Sequence, residues 1–342
     1  MNSLAKSKSH LSGLDSARGL AIILVVIFHY VYNHVSDGWL GIIIAPFGLG
    51  GVTLFFFLSG FLMERHLTND RNLLRYFSRR FFRILPAYLV CLAAVLLLDH
   101  VTHSGDDLSV RNVTINMLLL QDFFSTPLVI GVIWTLLIEI KFYALAPFIM
   151  RGGAVVLRLA PYATIAANTA VFLIRGEAST FLTYLTFCFV GMQFGPWSRG
   201  QMSAQMLALI VLFSAAATSV FVANFPYGLA IFVIVNAAIM AGAIQWSGRI
   251  PLFPFIGKVS YSWYLYHAAL GYPLISVLTT LLPGAVWAQT FIIVIATALT
   301  LFVAWLSFTI VERPMITFGY KLDQYLGISP ARRAAKNGRS NT

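Results

Sequence analysis

Apolar runs of about 20 residues recur along almost the whole chain. A helix of 20 residues is about 30 Å long, which matches the thickness of the hydrocarbon core of a bilayer. Because lipid offers the backbone no hydrogen-bond partner, such runs must cross it as helices. The sequence therefore predicts an all-α polytopic membrane protein, a bundle of about ten transmembrane helices. The predicted runs are 17–35, 41–63, 81–98, 128–149, 154–174, 178–195, 204–223, 226–246, 259–281 and 286–310.

The distribution of charge predicts how these helices are oriented. The net charge of +11 would by itself suit a nucleic-acid-binding protein. If the N-terminus is cytoplasmic, however, twenty of the 23 Lys and Arg residues lie on the cytoplasmic side, and only Arg111 and Arg175 lie outside. This is the positive-inside bias. We therefore expect both termini in the cytoplasm, a basic surface facing anionic lipid head groups, and no nucleic-acid partner.

Two stretches lie outside the predicted spans. We expect a single transmembrane domain over residues 1–320 and a basic cytoplasmic tail over 321–342. The connection 99–127 is long for a compact bundle, and long loops are often functional. Within it, 110–124 is apolar but too short to span, which predicts a re-entrant or interfacial helix.

A cation and an imidazole lie eleven residues apart in the first apolar run. Arg18 and His29 are separated by about three helical turns, or about 16 Å, with about 20° of rotation left over. Their side chains therefore leave the same face of the predicted helix. Arg at the centre of a membrane helix costs about 2.5–3.5 kcal/mol on insertion scales, and such residues usually act in a cavity. Alone, Arg18 would anchor the helix and His29 would pack between helices, but their joint spacing favours a functional pair.

Glu139 lies in the middle of the fourth predicted span. A carboxylate there must be neutral or paired. Lys141, two residues on, points to the other side of the helix and is a poor partner. Two interpretations remain open. Glu139 either bonds a Tyr or Ser hydroxyl between helices, or orients His29 as a carboxylate orients a catalytic imidazole.

Arginines precede the third span, and Arg80 and Arg83 share a helix face there. Topology alone predicts Arg at this end of a helix. Guanidinium groups also bind phosphate through paired hydrogen bonds. The pair is therefore either a topological anchor or a phosphate site.

Hydroxyl and imidazole groups open the ninth span. Ser260, Tyr261 and Tyr264 are followed by His267, which lies about ten residues into the membrane. These groups either join helices by hydrogen bonds or line a site. Glu312 closes the tenth span, where an ion pair with the following arginine is the simpler interpretation.

Six motifs follow one another in the order of a known family. They are Leu14-Asp15-x-x-Arg18-Gly19-Leu20-Ala21 with His29, Gly51-Val52-x-Leu54-Phe55-Phe56-x-Leu58-Ser59-Gly60, Arg80-x-x-Arg83, Trp134-Thr135-Leu136 with Glu139, Ser260-Tyr261-Ser262-x-Tyr264-Leu265-x-His267, and Glu312-Arg313-Pro314. Through these motifs the chain resembles the acyltransferase-3 family of integral membrane O-acyltransferases, from Leu14 to Pro314. Thr53 stands where that family commonly has Asp, and Ile140-Lys141 replaces a common Glu-Gln pair.

The resemblance implies an O-acyltransferase of the bacterial inner membrane. Such an enzyme moves an acyl group, most often acetyl, from cytosolic acyl-CoA to a hydroxyl of a carbohydrate such as a surface polysaccharide or glycolipid, and no metal is expected. His29 would be the catalytic base or acyl acceptor, and Glu139 its orienter. The arginines Arg18, Arg80 and Arg83 would bind the CoA phosphates. Ser260, Tyr261, Tyr264 and His267 would contact the substrate or its oxyanion.

A glycan or lipid-linked-sugar transporter is the competing class, because it too would combine many helices with buried charges. Secondary transporters often contain two-fold repeats with interrupted helices, and the sequence has no matching pair of interrupted runs. The sequence leaves open the acceptor, the acyl chain, the oligomeric state, and the choice between a general base and an acyl-histidine intermediate.

Overall fold

The computed structural model describes residues 2–32, 39–102, 108–221, 226–246, 250, 252–282 and 286–328. Every regular element in these residues is helical, which confirms the all-α prediction. Residues 329–342, most of the predicted basic tail, lie outside the described residues.

The helices are numbered in chain order. They are α1 (Asn2–Ile27), α2 (Trp39–Asn69), α3 (Leu73–Thr102), α4 (Val110–Met117), α5 (Gln121–Phe124), α6 (Trp134–Arg151), α7 (Gly153–Arg175), α8 (Thr180–Ser198), α9 (Ala204–Ser219), α10 (Pro226–Gln245), α11 (Phe253–Ala269), α12 (Gly271–Leu281), α13 (Val286–Ser307) and α14 (Arg313–Tyr325). The π-helical turns Phe28–Tyr32 and Phe308–Glu312 extend α1 and α13, and a 3-10 turn, Gly131–Ile133, precedes α6.

Among the described residues, seven helical segments are long and apolar enough to cross a membrane. The protein is therefore a multi-pass membrane protein, while the count of ten stays a prediction. The segments are Ser12–Tyr32, Ile43–Asn69, Leu73–Val101, Gly131–Arg151, Gly153–Arg175, Gly228–Gln245 and Trp287–Tyr325.

The three other predicted spans differ from these for identifiable reasons. Helix α8 is long enough but is buried throughout 183–196, so it can carry polar groups such as Gln193, whose amide donates to the Leu157 carbonyl at 2.7 Å. Helix α9 has 16 residues, about 24 Å, which is short for a span. The predicted single helix 259–281 is wrong, because the chain breaks at Leu270 into α11 and α12. Pro273 cannot donate the hydrogen bond that would continue the helix.

Internal contacts divide the chain into two compact units. The first consists of Met1–Arg65, Thr135–Ser260 and Leu282–Ile293, and the second of His66–Trp134, Tyr261–Leu281 and Val294–Thr342. Each unit is assembled from distant parts of the chain, so neither is a continuous sequence domain. The predicted division at residue 320 stays a prediction.

In the first unit, α2 and α8 approach within backbone contact. A Cβ added at Gly191 would lie 2.3 Å from the carbonyl oxygen of Phe57, and one added at Gly60 would lie 2.0 Å from that of Cys188. Gly191 and Gly195 are four residues apart, so they lie on one face of α8. Small residues at this spacing let membrane helices pack closely.

In the second unit, the C-terminal half of α11 is joined to its neighbours by polar bonds. The indole nitrogen of Trp263 donates to Thr300 on α13 at 3.2 Å. On α3, the hydroxyl of Tyr88 donates to the carbonyl of Asn116 in α4 at 2.9 Å. These bonds fix the helices that carry several of the candidate residues.

Candidate functional site

Arg18 lies on the turn of α1 that packs against the start of α11. A Cβ added at Gly19 would lie 2.5 Å from the Phe253 carbonyl oxygen, and one at Gly257 would lie 1.8 Å from that of Asp15. The guanidinium of Arg18 makes an ion pair with Asp15 at 3.4 Å, and its side chain is 18% exposed. The arginine is therefore held on a fixed turn and is still partly accessible.

His29 lies in the π-helical turn that follows α1. Because the turn begins only one residue earlier, regular α-helical geometry holds over almost the whole interval from Arg18 to His29. The imidazole donates to the backbone carbonyl of Val25, one turn earlier. A neutral imidazole that donates from one nitrogen has its lone pair on the other, which is the state that a general base needs.

The π-turn at His29 packs against a glycine-rich stretch of α2. A Cβ at Gly48 would lie 2.5 Å from the ring of Phe28, and one at Gly51 would lie 2.6 Å from the Ala21 carbonyl oxygen. Single π-turns inside α-helices are frequent at functional sites. The position of the histidine follows from the sequence, but no sequence feature indicated this turn.

Glu139 binds two hydroxyl groups within the first unit. Ser59 on α2 donates to its Oε1 at 2.5 Å, and Tyr143, one turn later on α6, donates to the same oxygen. Within the described part of the chain, the hydrogen bonds of Glu139 go to these two hydroxyls and not to His29. The hydroxyl-bonding interpretation is thus the one seen, and a direct orienting bond to His29 stays a prediction.

Lys141, the charge left without a role by the sequence, lies over an aromatic ring. Its Nζ is 5.1 Å from the ring centroid of Phe181 at the start of α8. A cation over an aromatic face is stabilised by the ring quadrupole, more so when it is desolvated.

The arginines at the start of α3 separate into two groups. Arg75 pairs with Asp70, and Arg79 donates to Asp323 on α14 at 3.3 Å while lying 4.7 Å from the ring centroid of Tyr320. Both are therefore held by structural partners. Arg80 and Arg83, both half-buried, lie one turn apart on the same helix, and among the described residues Arg83 has no ion pair.

The hydroxyls predicted at the start of the ninth span donate to main-chain carbonyls. Ser260 donates to Gly257 at 2.9 Å, Tyr261 to Ile84 at 2.8 Å, and Tyr264 to Val132 at 2.5 Å. A hydroxyl has one proton to donate, so an oxyanion would have to replace these carbonyls. The bond to Ile84 nevertheless brings Tyr261 to the turn of α3 that carries Arg83.

His267 and Glu312 are both buried in the second unit. The Nδ1 of His267 donates to the Tyr264 carbonyl at 2.7 Å. Ser262 donates to Oε2 of Glu312, within the second π-turn, at 2.8 Å. Glu312, Ser59 and Ser262 are motif positions in the sequence, which also allowed a Tyr or Ser partner for Glu139. The sequence did not predict that Ser59 and Tyr143 bind Glu139, or that Ser262 binds Glu312.

The candidate residues belong to both compact units. Arg18, His29, Glu139 and Ser260 belong to the first, and Arg80, Arg83, Tyr261, Tyr264 and His267 belong to the second. Within the described residues, no group of three or more His, Cys, Asp or Glu side chains is arranged to hold a metal ion.

Comparison with known proteins gives a consistent result. A protein-family model described as an acyltransferase domain matches residues 11–309. The O-acetyltransferase OatA of Staphylococcus aureus is 24% identical over 376 residues, covering 94% of this chain and 59% of that protein. The putative peptidoglycan O-acetyltransferase YrhL of Bacillus subtilis is 30% identical over 168 residues, which is 44% of this chain and 25% of that protein.

A third relative is the peptidoglycan O-acetyltransferase OatA of Listeria monocytogenes, 26% identical over 160 residues, or 41% of this chain and 24% of that protein. The chain thus spans at most about three-fifths of the length of these relatives. No solved structure matches the chain.

Proposed function

Because the chain belongs to the acyltransferase-3 family, whose match confirms the resemblance carried by the motifs, we propose that it is a membrane O-acyltransferase. It moves an acyl group, in the first instance acetyl, from acyl-CoA to a carbohydrate hydroxyl. The observation that carries this proposal is the family match over residues 11–309, which contains Arg18 and His29 on one helix. A transporter is the less favoured class, since family membership indicates group transfer.

His29 is the proposed catalytic residue. Acting as general base, its ring nitrogen takes the proton of the acceptor hydroxyl, whose oxygen bonds to the acyl carbon. The carbon–sulfur bond then breaks, and the CoA thiolate takes up the proton. Acting instead as nucleophile, the same nitrogen carries the acyl group between the two substrates. The bond to the Val25 carbonyl supports either role, because it holds the ring and leaves the lone pair on the other nitrogen.

Arg80 and Arg83 are the proposed ligands of the donor's phosphates. CoA is a polyanion, and guanidinium groups bind phosphate with charge-assisted hydrogen bonds. Within the arginine-rich turn, Arg75 and Arg79 are held by Asp70 and Asp323, whereas Arg83 has no ion pair among the described residues, which favours Arg83 as a phosphate ligand. Arg80 is proposed with it from the family motif alone. For Arg18, a phosphate-binding role stays a prediction, and its partial exposure is compatible with it.

Glu139 is proposed as a positioning residue. Its carboxylate fixes the hydroxyls of Ser59 and Tyr143 in the unit that carries His29. The role of substrate contact stays a prediction for four residues whose described hydrogen bonds go to backbone carbonyls, namely Ser260, Tyr261, Tyr264 and His267.

The proposed acceptor is a cell-surface carbohydrate. Two of the relatives are named for peptidoglycan, so muropeptide fragments are the first acceptors to assay. With both termini in the cytoplasm, as the charge distribution predicts, the donor would be cytosolic and the acceptor on the opposite side of the bacterial inner membrane.

The test is transfer of labelled acetyl from acetyl-CoA to glycan fragments by the purified protein in vesicles. We expect His29→Gln to abolish alkali-labile labelling of the glycan, while His100→Gln, a substitution at an exposed histidine near the end of α3, retains it. Both variants should reach the membrane in equal amounts.

Full acetylation by His29→Gln would refute the catalytic role. Thermal stabilisation of the protein by glycan fragments but not by acetyl-CoA would instead indicate a transporter. Trapping of label on the protein in the absence of acceptor, lost in His29→Gln, would select the acyl-histidine route over the general base.

A further inference from the structure

The described part of the connection between α3 and α6, residues 108–133, is built around one buried side chain. The amide of Asn116 donates to the carbonyls of Asn112 and Pro127 at 2.9 and 3.1 Å. Its Oδ1 accepts from the side chain of Gln121 at 2.8 Å and from the backbone of Val129 at 3.1 Å. This side chain therefore ties α4, α5 and the irregular segment after α5 into a defined shape, as expected of a buried polar group that is fully bonded.

The backbone of the same connection adopts two conformations that side chains disfavour. Leu119 and Ser125, which follow α4 and α5, have φ of 56° and 47°. Left-handed backbone at residues other than glycine persists only where the surrounding structure enforces it. Here Leu119 donates to the Asn116 carbonyl and Thr126 to that of Gln121, at 3.0 and 3.1 Å.

Four large apolar side chains of this ordered framework point outward. Met117 and Leu118 at the end of α4 are 46% and 62% exposed, and Phe123 and Phe124 in α5 are 76% and 53% exposed. In a loop surrounded by water, such side chains would form an aggregation-prone patch. Their exposure therefore points to an apolar environment around the connection.

The position of the connection along the chain places it at a membrane surface, where lipid provides an apolar environment. It leaves the membrane-spanning segment Leu73–Val101 at the end opposite its arginines, and it leads directly into the next segment, Gly131–Arg151. A helix of 29 residues is about 43 Å long, enough to cross the hydrocarbon and both interfaces. The connection must then lie at the membrane surface that is remote from Arg79, Arg80 and Arg83.

We propose that this connection is an interfacial anchor that inserts Met117, Leu118, Phe123 and Phe124 into the lipid acyl chains of that leaflet. Lipid is favoured over a glycan because the four side chains have no hydroxyl, amide or charge with which to bind sugar hydroxyls. The charged side chains Arg111 and Asp122 are exposed, as groups that remain in the head-group layer must be. The proposal is independent of the acyltransferase reaction.

The test is depth measurement by spin labels on the full chain in phospholipid vesicles. The two native cysteines, Cys91 and Cys188, are free thiols, and they are replaced by alanine so that each variant carries a single label. Single cysteines are then introduced as Leu118→Cys, Phe123→Cys or Phe124→Cys. Thr114→Cys, at an exposed polar position of the same connection, is the matched control. For each label we compare two collision rates. One is the rate with oxygen, which partitions into lipid, and the other is the rate with a water-soluble nickel chelate.

We expect the ratio of oxygen to nickel collisions to be severalfold higher at the three apolar positions than at Thr114. Low ratios at the three apolar positions, with their labels freely accessible to nickel, would overturn the proposal, because the apolar side chains would then face water. Protection from nickel that occurs only when glycan fragments are added would also overturn it, in favour of a carbohydrate-binding surface. Three separate labelled positions keep the result independent of any one variant that folds poorly.

Discussion

The division of the α3 arginines into two groups leads to a quantitative prediction about donor binding. Arg83 is half-buried and has no ion pair among the described residues, so its replacement by alanine removes a guanidinium without leaving a carboxylate unpaired. A hydrogen bond to a charged group contributes about 1.5–3 kcal/mol, which corresponds to about a 10- to 150-fold change in binding. We therefore expect Arg83→Ala to raise KM for acetyl-CoA by about that factor.

The turnover number should change little in this variant. The phosphates of CoA are far from the thioester, so Arg83 would bind them equally in the ground state and the transition state, and such uniform binding affects KM alone. The assay is initial-rate acetylation of a fixed glycan acceptor over a range of acetyl-CoA concentrations.

The matched control is the double variant Arg79→Ala/Asp323→Asn. Arg79 carries the same charge on the same helix but is bound to Asp323, which is 2% exposed. Replacing Asp323 together with Arg79 avoids leaving a buried charge unpaired. An equal rise in KM in the double variant, whose net charge is that of the unmodified chain, would show that disturbing the start of α3, and not losing the Arg83 guanidinium, weakens donor binding. An unchanged KM in Arg83→Ala would refute the assignment outright.

Three further predictions concern the first unit. Arg199→Ala should lower the free energy of unfolding in mixed micelles by about 3 kcal/mol, because the Arg199 guanidinium donates to both carboxylate oxygens of the buried Glu64, at 2.5 and 3.0 Å. The control Arg158→Ala, at an exposed position, should change that free energy by no more than about 0.5 kcal/mol. Equal losses in the two variants would contradict the prediction. Glu139→Ala should cost only about 1–2 kcal/mol, since a bond between membrane helices such as that from Ser59 averages about 0.6 kcal/mol and the bond from Tyr143 lies within α6. The variant should nevertheless lose most acetylation, and unchanged activity would reject a positioning role. Gly191→Val should lower the free energy of unfolding by at least about 3 kcal/mol, or yield no folded protein on size-exclusion chromatography, because the new side chain would collide with the backbone of Phe57. A normal yield and stability would show that α2 and α8 can move apart at this point.

The candidate residues show which parts of the site the sequence could predict. Arg18 and His29 lie on one continuous helical segment, so the distance and angle between them follow from the residue numbers. The π-turn begins at Phe28, too near His29 to change either value much. One partner of Glu139 lies on a second helix and the other lies one turn away on its own helix. Although Ser59 is a motif position, nothing in the sequence assigns it or Tyr143 to Glu139. The motif by itself pointed to Arg80 and Arg83, but only the structure shows that Arg79 is held by Asp323, which is more than 200 residues away along the chain.

The same contrast holds for the helices. Length and apolarity predicted the spans that face lipid, but they failed for 259–281, where Pro273 interrupts the helix, and did not anticipate that α8 is surrounded by protein.

What the sequence determined by itself is the helical class, the bulk of the spans and the family. In a bilayer each helix must satisfy its own backbone hydrogen bonds, so the local run of apolar residues decides that a segment crosses. The tertiary structure alone decided which polar groups pair: Glu139 with Ser59, Glu64 with Arg199, and Ser262 with Glu312. Those pairings depend on how helices that are distant in the chain pack, and a hydrogen bond forms only between atoms that packing brings within about 3 Å.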